Sequence, residues 1–203
     1  MKFVVNYNGI CIPDFYKKNQ YQPGMKLKMA SFGLLRHLKG HDIVIEACKL
    51  LNDQKIDFTY VIFGYGEMHS FLLEKIRLYN LDDKVKIESY TDNILAKMID
   101  FDVIIHPSRF ESFGYVPVEA MSVKVPVIVS NEGGLKEVVT NETALIAYQN
   151  SPEEYYKYLV EIFYGKIDLN KLTENAFNYT KEKFSVSEMI KNLDGIYSSF
   201  YKK

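Results

Sequence analysis

Cysteine, net charge and long hydrophobic runs are all scarce in this sequence. Two cysteines, Cys11 and Cys48, among 203 residues are too few for a disulfide-built secreted domain, and their spacing matches no metal or redox motif. The net charge of -1 gives no basic field for nucleic acid. No apolar run approaches the ~20 residues that span a bilayer, and the polar start does not form a signal peptide. We therefore expect a cytoplasmic protein that does not bind nucleic acid.

Short apolar runs alternate with segments of helical periodicity through most of the chain. One helix is predicted after an N-cap at Asp42, and a second should bury Met68, Phe71, Leu72 and Ile76. The predicted strands are 28–32, 58–63, 85–88, 103–105, 125–129 and 144–147. Beyond about residue 151 the pattern is helical only, over 155–164, 170–184 and 187–200. The alternation predicts an α/β fold, a Rossmann-like doubly wound parallel sheet of about six strands with helices on both faces and a helical C-terminal tail.

The most informative motif is P-S-R-F-E-S-F-G-Y-V-P-V-E-A-M, which starts at Pro107. It follows a predicted strand, so Glu111 should lie in a loop and Glu119 in the first turns of a helix. The start of such a helix attracts phosphate, and Gly114 lets its backbone come close. A diphosphate there would bring Glu119 to the ribose and Glu111 to a sugar beyond. The spacing is equally compatible with two solvated glutamates beside an ordinary turn.

Three other loops follow predicted strands. The loop at residues 33–40 carries Arg36 and Lys39, which could offset a diphosphate or simply form a basic turn before a helix. Residues 64–67, G-Y-G-E, are a weak dinucleotide signal because a third glycine is missing. Gly133 and Gly134 would let a backbone approach a ligand, although a plain turn and helix start explains them as well.

Several residues that resemble metal ligands have simpler interpretations. Asp100 and Asp102 have the spacing of a metal-binding pair, but they precede their strand and so should form a solvated turn away from the crevice. His106 ends a predicted strand and is interpreted as a structural histidine. His37, His41 and His69 have no partner spacing for zinc. No metal site is predicted.

Together these residues resemble the carboxy-terminal, donor-binding half of GT-B-fold retaining glycosyltransferases of the family-4 type. The matching segments are N-G-I at residues 8–10, G-x-L-x-x-x-K-G at 33–40, G-x-G-E at 64–67, the E-x7-E block at 107–121 and G-G-L-K-E at 133–137. They extend over nearly the whole chain. The E-x7-E block in its flanking context is the specific signal, whereas the glycine motifs are common to many folds.

The resemblance implies retaining transfer of a hexosyl group from a UDP-sugar or GDP-sugar, without a metal or another cofactor. Glu111 would be the catalytic residue that contacts the donor sugar, Glu119 would hold the ribose, and Lys39 with a nearby arginine would bind the diphosphate. The family's usual arginine is Leu34 here, so Arg36 is assigned that role. The implied donor-binding residues are Arg36, Lys39, Gly64, Tyr90, Phe113, Gly114, Tyr115, Val116 and Glu119, with backbone N–H groups of residues 113–116 around the distal phosphate.

The resemblance also implies a division of the chain. Residues 1–25 would be like an interdomain linker, 26–184 would bind the nucleotide sugar, and 185–203 would form a helix that crosses to an amino-terminal acceptor domain. That domain would be missing or supplied by a separate chain, and through it the acceptor could lie at a membrane. The alternatives are a nucleotide-binding interaction module, a subunit of a split enzyme without activity of its own, and a GT-B sugar-nucleotide epimerase.

Overall fold

Six strands and eight α-helices follow one another in the computed structural model, which describes residues 4–18, 21–90, 92–148 and 150–201. The strands are β1 Leu27–Phe32, β2 Phe58–Phe63, β3 Val85–Glu88, β4 Val103–His106, β5 Val127–Ser130 and β6 Leu145–Ala147. The helices are α1 His41–Asp53, α2 His69–Leu78, α3 Ile94–Met98, α4 Tyr115–Ser122, α5 Leu135–Val138, α6 Pro152–Phe163, α7 Leu169–Lys183 and α8 Val186–Tyr201. A single 3-10 turn, His37–Lys39, precedes α1.

The six strands form one parallel sheet in the order β3-β2-β1-β4-β5-β6. β4 and β5 are buried along their whole length, as expected for central strands covered on both faces. The strand order reverses between β1 and β4, so the two loops that leave their carboxyl ends diverge to opposite sides. Ligands of such sheets bind at this topological switch point. The predicted fold class is confirmed.

Helices cover both faces of the sheet and form two hydrophobic cores. One core contains apolar side chains of α1, α2 and α6, among them Val44, Leu72 and Leu159. The other contains those of α3, α4 and α7, among them Met98, Val118 and Ala176. The longer helices α1, α6 and α7 each contribute a stripe of residues at helical spacing to a core, which is why their 3.6-residue periodicity could be recognised in the sequence.

Two local predictions were wrong. α1 begins at His41 with Gly40 as its N-cap, so Asp42 lies inside the first turn, and its carboxylate pairs with Arg109 instead of capping the helix. Gly40 has a positive φ of 67°, and a Cβ there would lie 2.0 Å from the Pro107 carbonyl oxygen. Phe71 was expected in the core but is 46% exposed, and α2 buries Leu72 and Ile76 on its other side.

The N-terminal segment joins the sheet domain at the junction of α7 and α8. Ile10 N donates to Phe184 O across 2.7 Å, and Val186 N donates to Ile10 O across 3.0 Å. Within the described ranges, no helix combines the length and the apolar character needed to cross a bilayer. The boundaries expected at residues 25 and 184 stay predictions.

Candidate functional site

The Glu111 carboxylate lies at the switch point and accepts hydrogen bonds from two loops. Lys39, at the end of the 3-10 turn that follows β1, approaches Glu111 Oε2 with its Nζ at 2.6 Å. His106 Nε2, at the end of β4, lies 2.9 Å from the same oxygen. Ser108 Oγ lies 3.5 Å from it, and the Ser112 backbone N–H donates to Glu111 Oε1 across 3.2 Å. The predicted sugar-binding carboxylate and the predicted diphosphate-binding ammonium are therefore in direct contact.

The neighbours of Glu111 keep its carboxylate ionised. Burial alone would raise the pKa of Glu111, but the hydrogen bonds from His106 and Lys39 outweigh it and lower the pKa to about 2. Burial lowers the pKa of His106, whereas Glu111 acts in the opposite direction. The His106 imidazole is therefore neutral at pH 7, and the tautomer with hydrogen on Nε2 donates to the carboxylate.

An ion pair between Arg109 and Asp42 joins the loops that carry Lys39 and Glu111. Both Nη atoms of Arg109 donate to the Asp42 carboxylate across 2.8 Å, in the forked geometry typical of guanidinium and carboxylate. Arg109 Nη1 also donates to His37 O, and Arg109 N donates to Leu38 O, each across 2.8 Å. These bonds fix the position of Lys39 relative to Glu111.

Gly133 and Gly134, at the start of α5, support the Glu111 loop from the other side. Gly134 N donates to Glu111 O across 2.7 Å. A Cβ on Gly133 would lie 2.1 Å from Glu111 O, and one on Gly134 would lie 2.1 Å from Ser112 O. The glycines thus allow the close approach of the Glu111 loop backbone.

The beginning of α4 has the features of an anion site. Gly114 caps the helix with a positive φ of 94°, and between described residues no hydrogen bond uses the backbone N–H groups of Phe113, Gly114 or Tyr115. Those groups and the helix dipole favour negative charge. Glu119 lies on α4 as predicted, and burial raises the pKa of its carboxyl. The described part of the chain provides no hydrogen-bond donor for that carboxylate.

The remaining predicted donor-binding residues lie at the ends of neighbouring strands. Gly64 follows β2, and a Cβ there would lie 1.9 Å from Gly33 O. Arg36 is exposed, and its Nε lies 3.7 Å from Glu67 Oε2. Tyr90 follows β3 and is 55% exposed, whereas Thr91 of the same loop lies outside the described residues. Arg36 and Tyr90 are thus exposed. Between described residues, no side-chain hydrogen bond or ion pair joins either of them to Lys39, His106 or Glu111.

The predicted solvated turn at Asp100 and Asp102 is structural in part. Asp102 Oδ2 accepts from Lys28 N across 2.9 Å, and Asp102 Oδ1 lies 3.5 Å from Lys17 Nζ. Asp100 pairs with Lys97 at the surface. In the described ranges no three His, Cys, Asp or Glu side chains form a group that could hold a metal ion.

Four residues around Glu111 were not among the predicted site residues. His106 was interpreted as structural, and Ser108, Arg109 and Asp42 were not connected with the site. The signal for His106 was present, because it precedes the Pro-Ser of the motif and ends a strand at the switch point. The contact between Asp42 and Arg109 joins residues 67 positions apart, and no local pattern encodes it.

The family model and the most similar curated proteins both indicate a glycosyltransferase family. The model of the Glycosyl transferases group 1 family matches residues 14–179. The putative colanic acid biosynthesis glycosyltransferase WcaL of Salmonella typhimurium is 28% identical over 90% of this chain and 46% of its own length. An uncharacterised glycosyltransferase of Methanocaldococcus jannaschii is 28% identical over 96% of this chain and 53% of its own length. The chain therefore spans about half the length of these relatives.

Solved structures share the fold. A glycosyltransferase from Rickettsia africae superposes with a TM-score of 0.85 at 23% identity, covering 98% of this chain and 57% of that one. The C-terminal domain of the group 1 glycosyl transferase LpcC from Francisella tularensis superposes with a TM-score of 0.75 at 23% identity, covering 88% of this chain and all of that domain. The fold and the match over residues 14–179 lead to one conclusion: the chain belongs to the Glycosyl transferases group 1 family.

Proposed function

We propose that this chain is the donor-binding domain of a retaining glycosyltransferase and that it binds a nucleotide-diphosphate sugar at the switch point. The observation that carries the proposal is the contact of Lys39 with Glu111, 2.6 Å between Nζ and Oε2, where the loops of β1 and β4 meet. A cation for phosphate and an ionised carboxylate for sugar hydroxyls stand side by side. In a sugar nucleotide the diphosphate is bonded directly to the sugar, so groups that bind the two should lie at adjacent positions.

The start of α4 supports the proposed orientation of the ligand. Its unused N–H groups and dipole suit the distal phosphate, and Glu119 lies about one turn farther along the helix, where its carboxylate can accept both ribose hydroxyls. The N–H groups and Lys39 would together offset the diphosphate, so we propose chemistry that needs no metal ion. Gly64, Arg36 and Tyr90 stay proposed donor contacts on the adjacent strand ends.

The nucleotide and the stereochemistry are further parts of the proposal. HepE of Anabaena, which has the same fold at 23% identity with a TM-score of 0.77 over 86% of this chain, has been solved with UDP and glucose, and this supports a UDP-sugar ahead of a GDP-sugar. Retention of anomeric configuration and transfer of a hexosyl group follow from the family resemblance. In our proposal Glu111 is the catalytic residue and contacts the donor sugar.

Transfer itself requires an acceptor site that we assign to an amino-terminal domain. The relatives are about twice as long as this chain, which supports an acceptor-binding half encoded elsewhere in the complete enzyme. Donor binding by this chain and transfer by the complete enzyme are separate expectations. Binding without transfer, even with the amino-terminal half added, would favour a nucleotide-binding module.

Lys39→Ala tests the assignment of the diphosphate. Loss of a charge-assisted contact of ~1.5–3 kcal/mol should weaken UDP binding roughly tenfold or more, while the affinity for uridine should change little because uridine lacks the phosphates. Isothermal titration of UDP, GDP and uridine into both proteins measures the effect.

A matched control is Lys28→Ala, which removes an exposed lysine from the same strand-and-loop unit away from its carboxyl end. The control should bind UDP as the unaltered chain does. If Lys39→Ala weakens uridine as much as UDP, Lys39 does not bind the diphosphate. If no nucleotide or nucleotide sugar binds the unaltered chain, the proposed function is wrong.

A further inference from the structure

The Glu111 carboxylate has two kinds of hydrogen-bond donor. Lys39 approaches from the β1 loop and carries a full charge, whereas His106, Ser108 and the Ser112 N–H belong to the strand and loop of Glu111 itself. Lys39 is the member of this group that a diphosphate would also attract. The three neutral donors have no competing ligand group in the proposed complex.

Binding of a diphosphate would change the environment of Glu111. The Arg109 bonds hold the backbone beside Lys39, but its ammonium lies at the end of a flexible side chain. Contact with phosphate would draw this ammonium partly or wholly away from the carboxylate. Glu111 must then keep its orientation through its remaining donors while it receives the hydroxyls of the sugar. A carboxylate that lost its support at this step would turn toward the phosphate-bound lysine and away from the sugar.

His106 and Ser108 are fixed firmly enough to provide this support. His106 is 3% exposed and Ser108 is fully buried, and Ser108 Oγ lies 3.1 Å from His106 Nε2. The Ser108 carbonyl accepts from Ser130 Oγ across 2.6 Å and from Asn150 Nδ2 across 3.3 Å. Asn150 in turn accepts from the buried Tyr155 hydroxyl across 2.7 Å. The support therefore extends from β4 to β5 and α6.

We propose that His106 is a positioning residue that holds the Glu111 carboxylate toward the donor sugar when Lys39 turns to the diphosphate. The inference rests on the proposed function and adds a specific role within it. It predicts that His106 affects the affinity gained from the sugar and leaves the affinity for the diphosphate alone unchanged. A purely structural histidine would affect both affinities equally.

Two amide substitutions separate these roles. In His106→Gln the side-chain N–H can occupy the place of Nε2, whereas in His106→Asn it reaches only the place of Nδ1. The two variants are therefore similarly polar, but only His106→Gln can keep the hydrogen bond to Glu111. Dissociation constants are measured for UDP, GDP, UDP-glucose, UDP-galactose, UDP-N-acetylglucosamine and GDP-mannose. The readout is the ratio of the constant for the nucleoside diphosphate to that for its best sugar derivative.

The unaltered chain should bind one sugar nucleotide more tightly than the corresponding diphosphate. His106→Asn should lower that ratio about tenfold, toward one, with the diphosphate constant changed less than twofold, and His106→Gln should retain most of it. Tyr60→Phe, which removes a buried hydrogen bond to Ser31 in the same sheet, is the matched control and should leave the ratio unchanged.

The possible failures are distinct. If no compound in the panel binds the unaltered chain, the proposed function fails and this inference with it. If the compounds bind but the ratio is one, or if His106→Asn keeps the ratio of the unaltered chain, the inference alone is overturned. Should His106→Asn fail to fold, Ser108→Ala provides a second test: it should lower the ratio about threefold, and an unchanged ratio overturns the inference.

Discussion

Glu119 has a partly buried carboxylate for which the described residues provide no hydrogen-bond donor. Burial raises the pKa of its carboxyl, and no charge or hydrogen bond from the described residues offsets this loss of solvation. Charged groups that serve the fold usually have a partner, because an unpaired buried charge is unfavourable. The ribose hydroxyls of a sugar nucleotide would supply the missing donors. Glu119 should therefore stabilise the complex and destabilise the free domain.

Glu119→Gln should separate these two effects. At pH 7 the variant should melt about 1–3 °C higher, because the amide removes the unfavourable buried charge. Its affinity for UDP should fall roughly tenfold, because the amide oxygen accepts more weakly and the amide nitrogen does not accept. Differential scanning calorimetry and isothermal titration measure the two changes.

The pH dependence of stability provides a second test of the proposed effect of the Glu119 charge on the folded state. The folded pKa of Glu119 lies above the ordinary value of 4.5, so the folded state binds the extra proton and loses stability as pH rises from 4.5 through the folded pKa. The advantage of Glu119→Gln should therefore be present at pH 7 and disappear below pH 4.5. A variant that is less stable than the unaltered chain at pH 7 would contradict this account.

At the scale of elements, the ion pair of Arg109 with Asp42 connects α1 to the loop between β4 and α4. The pair is partly buried and forked, with both Nη atoms of Arg109 bonded at 2.8 Å. Surface ion pairs contribute little because solvent screens them and their side chains are mobile. A forked pair whose guanidinium also donates to the His37 carbonyl should contribute more to stability, because three hydrogen bonds fix the position of the guanidinium.

A double-mutant cycle with Arg109→Gln and Asp42→Asn measures this contribution. We expect a coupling free energy of unfolding of about 1–2 kcal/mol, and a weaker affinity for UDP in both single variants because Lys39 loses its fixed position. The pair of Lys49 with Asp53, exposed on the same α1 helix, is the matched control and should show less than about 0.5 kcal/mol. Equal coupling in the two cycles would argue against a special role for Arg109.

The elements were easier to predict than the contacts between them. The bounds of β2 and β3 agree with the predicted 58–63 and 85–88, because polar or glycine residues flank the largely apolar β2 and the alternating V-K-I-E of β3 on both sides. β5 starts at Val127 and not at residue 125, since Val125 and Pro126 continue the apolar run without belonging to the strand. Local composition indicates where a strand lies, but the hydrogen bonds to its neighbours determine the residue at which it begins.

In the candidate site, too, the residues were easier to predict from the sequence than the contacts between them. Glu111, Glu119 and Lys39 could be proposed from the sequence because each lies in a motif that follows a predicted strand. The switch point that brings Lys39 to Glu111 is a property of strand order, which no segment of the sequence encodes by itself. His106 was assigned a structural role because its bond to Glu111 depends on the turn of the chain at residues 107–111, and hydrophobic periodicity does not describe such a turn.

At the scale of the whole molecule, the N-terminal segment and α8 form one connected edge. Ile10 exchanges backbone hydrogen bonds with Phe184 and Val186, and the Lys183 ammonium lies 4.8 Å from the centre of the Tyr7 ring. Gly9 packs so closely that a Cβ there would lie 2.8 Å from Val186 Cα. The segment at residues 7–10 and the start of α8 are thus in direct backbone contact, and a displacement of one should be transmitted to the other.

Gly9→Ala tests this connection. Because the added methyl group would meet the backbone of Val186 and not a flexible side chain, the segment at residues 8–10 must move away, and the first turns of α8 should lose protection. Hydrogen exchange should then be faster across α8 and unchanged in β1 and β4, with the affinity for UDP preserved.

Gly195→Ala is the matched control, because it makes the same substitution within α8 where the methyl group meets open space. It should slow exchange there through better helix propensity. If Gly9→Ala leaves exchange in α8 unchanged, the two segments are not coupled; if it also accelerates exchange in β1, the contact supports the whole domain and not this edge alone.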